Sequence, residues 1–245
     1  MAKLLRLWEL SQAHLRVLAY PSGDPSAARR RLVELAQLGV DALMFEGPVE
    51  LWGVRVVAKG TTSVVLKGVA GSSIVAVKAR RLDSNRPSLL PEAYRLRLAN
   101  RAGIGPRLMA ASRNFLVWRF IEGVPLESWV LSASLPEVRD VIRRLLQQAA
   151  TLDRLGLVHK ELSRIRGHVL VTRDMQPVIF DFETASLGSG KSNLTQVAQA
   201  LFIRESEVSR RVRRAFGVTR EEVLEALRAY KRERRIEPLK RLSLI

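Results

Sequence analysis

A lysine and a glutamate in the first half of the chain could form an ion pair. Lys78 ends the apolar run Val75–Lys78, and Glu92 comes early in the helix that is predicted next. A lysine at a strand end is usually a solvated charge. If Glu92 pairs with it, the carboxylate can instead hold the ammonium group over phosphates, where phosphoryl transfer requires a cation.

A turn of small residues precedes this strand. Gly60, Thr61, Thr62 and Ser63 lie between two predicted strands, where the backbone could approach a phosphate closely. Such a turn is also common in ordinary β-hairpins. Its position before the lysine strand makes these four residues candidate ATP ligands.

Two carboxylates in the second half complete the set of groups that phosphoryl transfer needs. Glu161 lies in a loop before the predicted strand Val169–Val171, and Asp181 ends the next strand. A loop carboxylate can orient a hydroxyl or accept its proton. A carboxylate at a strand end can hold Mg²⁺ between phosphate oxygens. Alternatively, Asp181 is a strand-end cap and His159 is a packed core histidine.

The elements that must position these residues fall into three segments. Residues 1–47 are predicted to be a helical N-terminal extension. Its first helix runs to about Ala19, and its second has Asp24 as N-cap, Pro25 at the first helical position and Gly39 after its end.

The second segment, residues 48–122, is predicted to be a β-rich lobe, because short β-branched runs alternate with Gly, Ser and Thr turns. Its helix is expected around Pro91–Ala102. The third segment, residues 123–245, is predicted to be mainly helical with one small hairpin. In it, Ser134 and Glu137 form a capping box before a long amphipathic helix.

The composition limits the partners and the compartment. The chain has no cysteine, which excludes disulfides and thiolate metal sites. No apolar run reaches the roughly 18 residues of a membrane span, so a cytoplasmic protein without membrane contact is expected. The net charge of +17 favours polyanionic partners, and nonspecific contact with RNA or a ribonucleoprotein is expected at the basic helical ends. The other explanation of this charge is a solvated, arginine-rich surface.

From about Val54 to Phe202, the sequence resembles an atypical branch of the protein-kinase superfamily. It is similar to archaeal predicted Ser/Thr protein kinases and, more distantly, to RIO kinases. AKGTTSVV stands where that family has its glycine-rich loop, VAVK where it has its lysine, HKEL where it has HRDL, and DFE where it has DFG. The resemblance implies an α+β, two-lobe kinase-like fold with a β-rich N-lobe, a short helical C-lobe and an N-terminal helical extension.

The resemblance also implies roles for individual residues. Lys78 would contact ATP phosphates, Glu92 would position it, Glu161 would occupy the catalytic-base position and Asp181 would bind Mg²⁺ or Mn²⁺. Glu161 replaces the aspartate of the family, and Glu183 replaces the glycine of DFG.

The metal-binding asparagine of the family is missing. Counting along the loop places Arg166 there, and His168, directly before the strand, is the candidate second ligand.

The function implied is ATP-dependent transfer of a phosphate to a hydroxyl, with a Ser/Thr protein acceptor of unknown identity. Three alternatives stay open: a nucleotide-binding pseudokinase, an RNA- or ribosome-associated binding protein, and a small-molecule kinase. The segment Ala185–Ser192 resembles a Walker A loop. Because the residues after it are predicted to be basic helices, it is interpreted as the remnant of an activation segment.

Overall fold

A computed structural model describes residues 4–188, 191–233 and 236–245. The chain divides into two units. The first contains Met1–Arg97 and Pro106–Ile121, and the second contains Leu98–Gly105 and Glu122–Ile245. Ser189 and Gly190, within the Walker A-like segment, lie outside the described residues. No helix in the described ranges combines the length and apolar character that crossing a membrane requires.

The first unit is built on strands, with helices near its start and end. Its elements are β1 (Leu4–Arg6), α1 (Gln12–Leu18), α2 (Pro25–Gln37), β2 (Ala42–Met44), β3 (Val49–Leu51), β4 (Val54–Val56), β5 (Ala58–Lys59), β6 (Ser63–Ala70), β7 (Ser73–Arg80), α3 (Leu90–Arg101), β8 (Leu108–Ala111) and β9 (Phe115–Arg119). The residues of α3 from Leu98 onwards belong to the second unit.

An antiparallel sheet forms the centre of the first unit. Its strand order is β1-β2-β6-β7-β9-β8, and β5 pairs with β6 beside this path. Strands β6 and β7 form the long hairpin that the sequence predicted, with Ser63 opposite Arg80 at one end and Ala70 opposite Ser73 at the other. Alternate positions bury Leu66, Val77 and other apolar side chains in one core.

The first 47 residues are only partly helical, so the prediction of a helical extension is wrong at two places. Leu4–Arg6 is a strand that pairs with Ala42–Met44, and the latter pairs with β6. Both strands therefore extend the main sheet. The predicted helix cap is confirmed, because the Asp24 carboxylate accepts a hydrogen bond from the Ala27 amide at 2.6 Å.

The second unit is mainly helical, as predicted. Its elements are β10 (Gly123–Pro125), α4 (Leu126–Ser132), α5 (Leu135–Arg154), β11 (Leu157–Val158), β12 (Val169–Thr172), β13 (Pro177–Ile179), β14 (Ser186–Leu187), α6 (Asn193–Ala198), α7 (Glu207–Phe216), α8 (Arg220–Glu233) and α9 (Glu237–Arg241). A single π-helical turn, Gln199–Ile203, follows α6 directly.

Helix α5 and a small sheet position the loops of the second unit. The predicted capping box is confirmed, since Ser134 and Glu137 exchange hydrogen bonds at the start of α5. The predicted hairpin is also present, with β12 antiparallel to β13. Strand β10 adds a third strand beside β12. Gly123 permits this close approach, because a Cβ there would lie 2.7 Å from the Val171 carbonyl oxygen.

Candidate functional site

Lys78 and Glu92 form a buried ion pair in the first unit. Strand β7 places Lys78 between Val65 of β6 and Leu116 of β9, and the first turn of α3 carries Glu92. The Lys78 Nζ donates to both Glu92 carboxylate oxygens at 2.9 Å. Only 4% of Lys78 and 5% of Glu92 are exposed. The pairing expected from the sequence is therefore present.

Burial makes this pair an unusual feature of a protein core. Removing a lysine and a glutamate from water costs several kcal/mol for each ion, and their mutual attraction only partly offsets this. A pair of well-packed apolar side chains would stabilise the same position as well or better. The pair is therefore hard to explain by stability alone, and a fixed ammonium group is what a phosphate-binding site needs.

The residues predicted to contact phosphate form the turn between β5 and β6. The Gly60 amide donates to the Ser63 carbonyl oxygen at 2.8 Å. Arg81 makes two hydrogen bonds to the turn. Its Nη1 donates to the Gly60 carbonyl oxygen at 2.9 Å, and its amide donates to the Thr62 carbonyl oxygen at 2.8 Å. Gly60 and Thr61 are exposed, Thr62 is half-buried and Ser63 is buried.

The fold itself does not require glycine at position 60. The φ of Gly60 lies outside the left-handed region, and a Cβ there would lie 3.7 Å from the Ser63 carbonyl oxygen, an ordinary contact. Alanine would therefore fit the turn. Substitution of Gly60 thus tests how closely a ligand approaches this backbone without disturbing the turn.

His159 links two loops of the second unit. Its ring is fully buried, with Nε2 3.1 Å from the Phe180 carbonyl oxygen and Nδ1 3.4 Å from the Glu161 amide nitrogen. Burial lowers the pKa of His159, although the Phe180 carbonyl and the charges of Asp181 and Glu161 partly oppose this. The neutral ring with its proton on Nε2 satisfies both contacts. His159 is thus a packed histidine that connects the loop of Glu161 to the end of β13.

Glu161 is half-buried and held by one oxygen. Its Oε2 accepts a hydrogen bond from Thr184 Oγ1 at 2.8 Å, and its carbonyl oxygen accepts from the Arg164 amide at 2.8 Å. No hydrogen bond from the described part of the chain engages Oε1. One oxygen fixes the side chain, and the other is left to accept a proton or to orient a hydroxyl.

Asp181 stands at a sharp turn after β13. Its backbone is left-handed, with φ 64° and ψ 70°, a conformation that aspartate tolerates better than most residues. The chain then continues into a short 3₁₀ turn, Phe182–Thr184, whose Phe182 is buried. This turn brings carboxylate oxygens of Asp181 and Glu183 within 4.8 Å of each other. Oxygen ligands of this kind suit Mg²⁺ or Mn²⁺.

His168, the other predicted metal ligand, lies among rings. Its side chain is buried and its ring centroid is 5.2 Å from that of His159 and 6.4 Å from that of Phe180. Its Nδ1 has no hydrogen-bond partner in the described part of the chain. Arg166, which stands at the asparagine position by counting, is exposed.

A polar network, which the sequence did not predict, holds the backbone of the Glu161 loop. Asn193 accepts from the His159 amide at 2.7 Å and donates to the Leu157 carbonyl oxygen at 2.9 Å. Asp153 accepts from the Asn193 amide at 2.6 Å and from its side chain at 2.8 Å. Gln196 donates to the His159 carbonyl oxygen at 3.1 Å. The backbone on both sides of His159 is thus fixed by side chains from other elements.

One signal could have indicated this network. Asp153 is an acid in the last turn of α5, where the negative end of the helix dipole disfavours it. Such a residue needs a compensating partner. The first turn of α6 supplies that partner through its amides and the Asn193 side chain.

The chain was also compared with known proteins. It matches no model of a known protein family, and no curated protein matches it.

Proposed function

We propose that the chain is an ATP-dependent phosphotransferase that moves the γ-phosphate of ATP to a hydroxyl acceptor, a serine or threonine of a protein. The observation that carries the proposal is the buried Lys78–Glu92 pair, in which both carboxylate oxygens hold one ammonium group at 2.9 Å. The loop of Glu161 and the turn at Asp181 add the other groups that this chemistry needs.

The first unit supplies nucleotide contacts in this proposal. The Lys78 ammonium contacts phosphate oxygens, and Glu92 restricts its position. The turn of Gly60, Thr61, Thr62 and Ser63 offers backbone amides and small side chains to the phosphates. Since Gly60 is exposed and has space for a Cβ, its lack of a side chain leaves room for a ligand.

The second unit supplies the acid–base and metal-binding groups. The acceptor oxygen forms a bond to the γ-phosphorus while the bond to the bridging oxygen of ADP breaks. The hydroxyl proton goes to Glu161, whose other oxygen is held by Thr184. Asp181 and Glu183 would hold Mg²⁺ or Mn²⁺, which neutralises phosphate charge when bound.

Thr184 explains how a glutamate can occupy a position where aspartate is usual. The longer side chain gains one rotatable bond, and catalytic geometry tolerates only about 0.5 Å of displacement. The Thr184 hydroxyl, 2.8 Å from Oε2, limits this freedom. His159 fixes the backbone of Glu161 from the other side through its Nδ1.

A nucleotide-binding assay tests the proposal. Magnesium-ATP should raise the melting temperature of the parent protein, and Lys78→Ala should abolish this increase. Lys67→Ala is the matched control, because Lys67 also pairs with a glutamate in the first unit, Glu46, at 2.9 Å. Transfer of label from γ-labelled ATP to the protein itself or to a generic protein acceptor should depend on Asp181.

Two results would count against the proposal. One is the absence of stabilisation by any nucleotide, with or without Mg²⁺ or Mn²⁺. The other is an equal loss of nucleotide binding in Lys67→Ala and Lys78→Ala, which would make the effect a general consequence of lost charge. ATP binding without any transfer of label would favour a nucleotide-binding pseudokinase.

A further inference from the structure

The excess positive charge is concentrated in the middle of the chain. Residues 51–121 carry 13 Lys+Arg against 2 Asp+Glu, whereas residues 204–245 carry 13 against 7. The basic helical ends therefore contribute less of the net charge than the strand-rich segment. In addition, Arg211 and Arg213 on α7 donate to the carbonyl oxygens of Ala133 and Phe202, which gives them a structural role.

Two aromatic rings and three cations come together in the first unit. Tyr20 and Trp52 have ring centroids 5.1 Å apart. The Arg16 guanidinium lies 4.8 Å from the Trp52 ring centroid, and Lys59 Nζ and the Arg81 guanidinium lie 5.5 and 5.1 Å from that of Tyr20. Arg16 lies on α1 and Tyr20 just after it, Trp52 lies in the β3–β4 turn, Lys59 lies on β5, and Arg81 directly follows β7. We call them the aromatic–basic patch.

Trp52 occupies an unfavourable position in its turn. The hairpin of β3 and β4 is closed by Trp52 and Gly53, with φ values of 54° and 79°. Asparagine followed by glycine is the usual choice when both residues of a two-residue turn have positive φ. A bulky side chain there is a conformational outlier, and such outliers cluster at functional sites. Moreover, 42% of Trp52 is exposed to solvent.

We propose that the aromatic–basic patch binds single-stranded nucleic acid. An exposed indole offers a stacking surface to a base, and cations around it meet the phosphates. Arg81 is already paired with Asp83 at 2.6 Å, so Arg16 and Lys59 are the main phosphate-contacting cations. A single strand is required because the bases of a duplex are stacked on each other and cannot reach a side-chain ring.

A purely structural explanation of the patch makes a different prediction. If Arg16 and Tyr20 merely hold the β3–β4 hairpin against α1, removal of the indole will change stability and leave nucleic-acid affinity unchanged. Trp52→Asn separates the two explanations. Asparagine suits the left-handed backbone at this position, so the turn can form without the ring.

Fluorescence anisotropy with a labelled oligouridine of about 12 nucleotides tests the proposal. The assay omits ATP and divalent ions, so its outcome does not depend on the proposed phosphotransfer. Trp52→Asn should weaken binding about 5- to 150-fold, the range for loss of one stacked base. Trp8→Ala is the matched control, because Trp8 is 78% exposed and has an arginine, Arg6, 5.6 Å from its ring centroid.

The salt dependence tests the cations. Lys59→Ala should reduce the slope of log affinity against log salt by about 0.7, as expected for one lost phosphate contact on a single strand. Lys231→Ala on α8, also an exposed lysine, should leave the slope unchanged. An oligothymidine arm distinguishes RNA from DNA, and comparable binding of the two would support a patch that contacts bases and phosphates alone.

Three outcomes would overturn the proposal. The first is that the parent protein does not bind the oligouridine even at low salt. The second is that Trp8→Ala and Trp52→Asn weaken binding equally. The third is that duplex RNA binds as well as the single strand and that Trp52→Asn does not alter the affinity for the duplex. Circular dichroism of Trp52→Asn confirms that the variant is folded before affinities are compared.

Discussion

The buried Lys78–Glu92 pair allows a test that separates folding from nucleotide binding. Lys78→Met removes the ammonium group that both Glu92 carboxylate oxygens contact, and Glu92→Leu removes the carboxylate that holds this ammonium group. Because the two side chains are only 6% and 7% exposed, either single substitution should cost about 3–5 kcal/mol. For a chain of this size, that cost corresponds to a fall of about 6–20 °C in melting temperature.

The double variant Lys78→Met/Glu92→Leu should recover most of this stability. Two apolar side chains of similar volume remove both desolvation costs, and such replacements are neutral or stabilising by about 1–4 kcal/mol. ATP binding should nevertheless be lost, because methionine cannot contact phosphate. Urea unfolding followed by circular dichroism measures the stability, and thermal shift with magnesium-ATP measures the binding.

The two measurements refute different parts of the reasoning. A double variant as unstable as the single variants would show that the ion pair stabilises the fold more than two apolar side chains do. A double variant that is stable and still binds ATP with the affinity of the parent would remove Lys78 from the nucleotide site. Lys67→Met/Glu46→Leu serves as the control, because this pair is more exposed and should influence neither property strongly.

Three further predictions concern the second unit. Glu161→Gln should abolish label transfer and leave ATP binding intact, whereas Thr184→Val should reduce transfer by a smaller factor; equal transfer in parent and Glu161→Gln would make Glu161 structural. Asn193→Ala removes the side-chain contacts to the backbone around His159, so it should lower the rate of transfer more than ATP affinity and destabilise the unit by about 1–3 kcal/mol. Burial lowers the pKa of His159, so the unfolded chain takes up a proton at this position at a higher pH than the folded chain does. The contribution of His159 to the free energy of unfolding should therefore be fully present above pH 6.5. Below that pH it should decrease by at most about 1.4 kcal/mol per pH unit. In His159→Gln, the free energy of unfolding measured with urea should no longer show this dependence on pH. A variant with the same pH profile as the parent would show that His159 is not its cause.

Local patterns in the sequence determined much of the framework. The Asp24 cap, the Ser134–Glu137 capping box and the hairpin of β6 and β7 were predictable because each depends on residues that are neighbours along the chain. The Lys78–Glu92 pair was expected because Glu92 lies early in the helix that follows the lysine strand, but residues 81–89 separate the two elements, so local sequence alone does not bring the side chains together.

Short strands at sheet edges were not predictable in the same way. The run around Leu4–Arg6 has the apolar spacing of an amphipathic helix, yet it pairs with Ala42–Met44. A strand of three residues is too short for alternation to distinguish it from a helix turn. Its structure is determined by the partner strand, which lies far away in the sequence.

Contacts between distant side chains were decided only by the tertiary structure. Asn193 reaches both Asp153 and the backbone of His159, although nothing in its local sequence indicates a role in that loop. Tyr20 and Trp52 likewise meet through the packing of α1 against the β3–β4 hairpin. Periodicity and capping report which face of an element is buried, but they do not specify which other element lies against it. The three-dimensional path of the chain supplies that information, and with it the residues that hold the Glu161 loop and form the aromatic–basic patch.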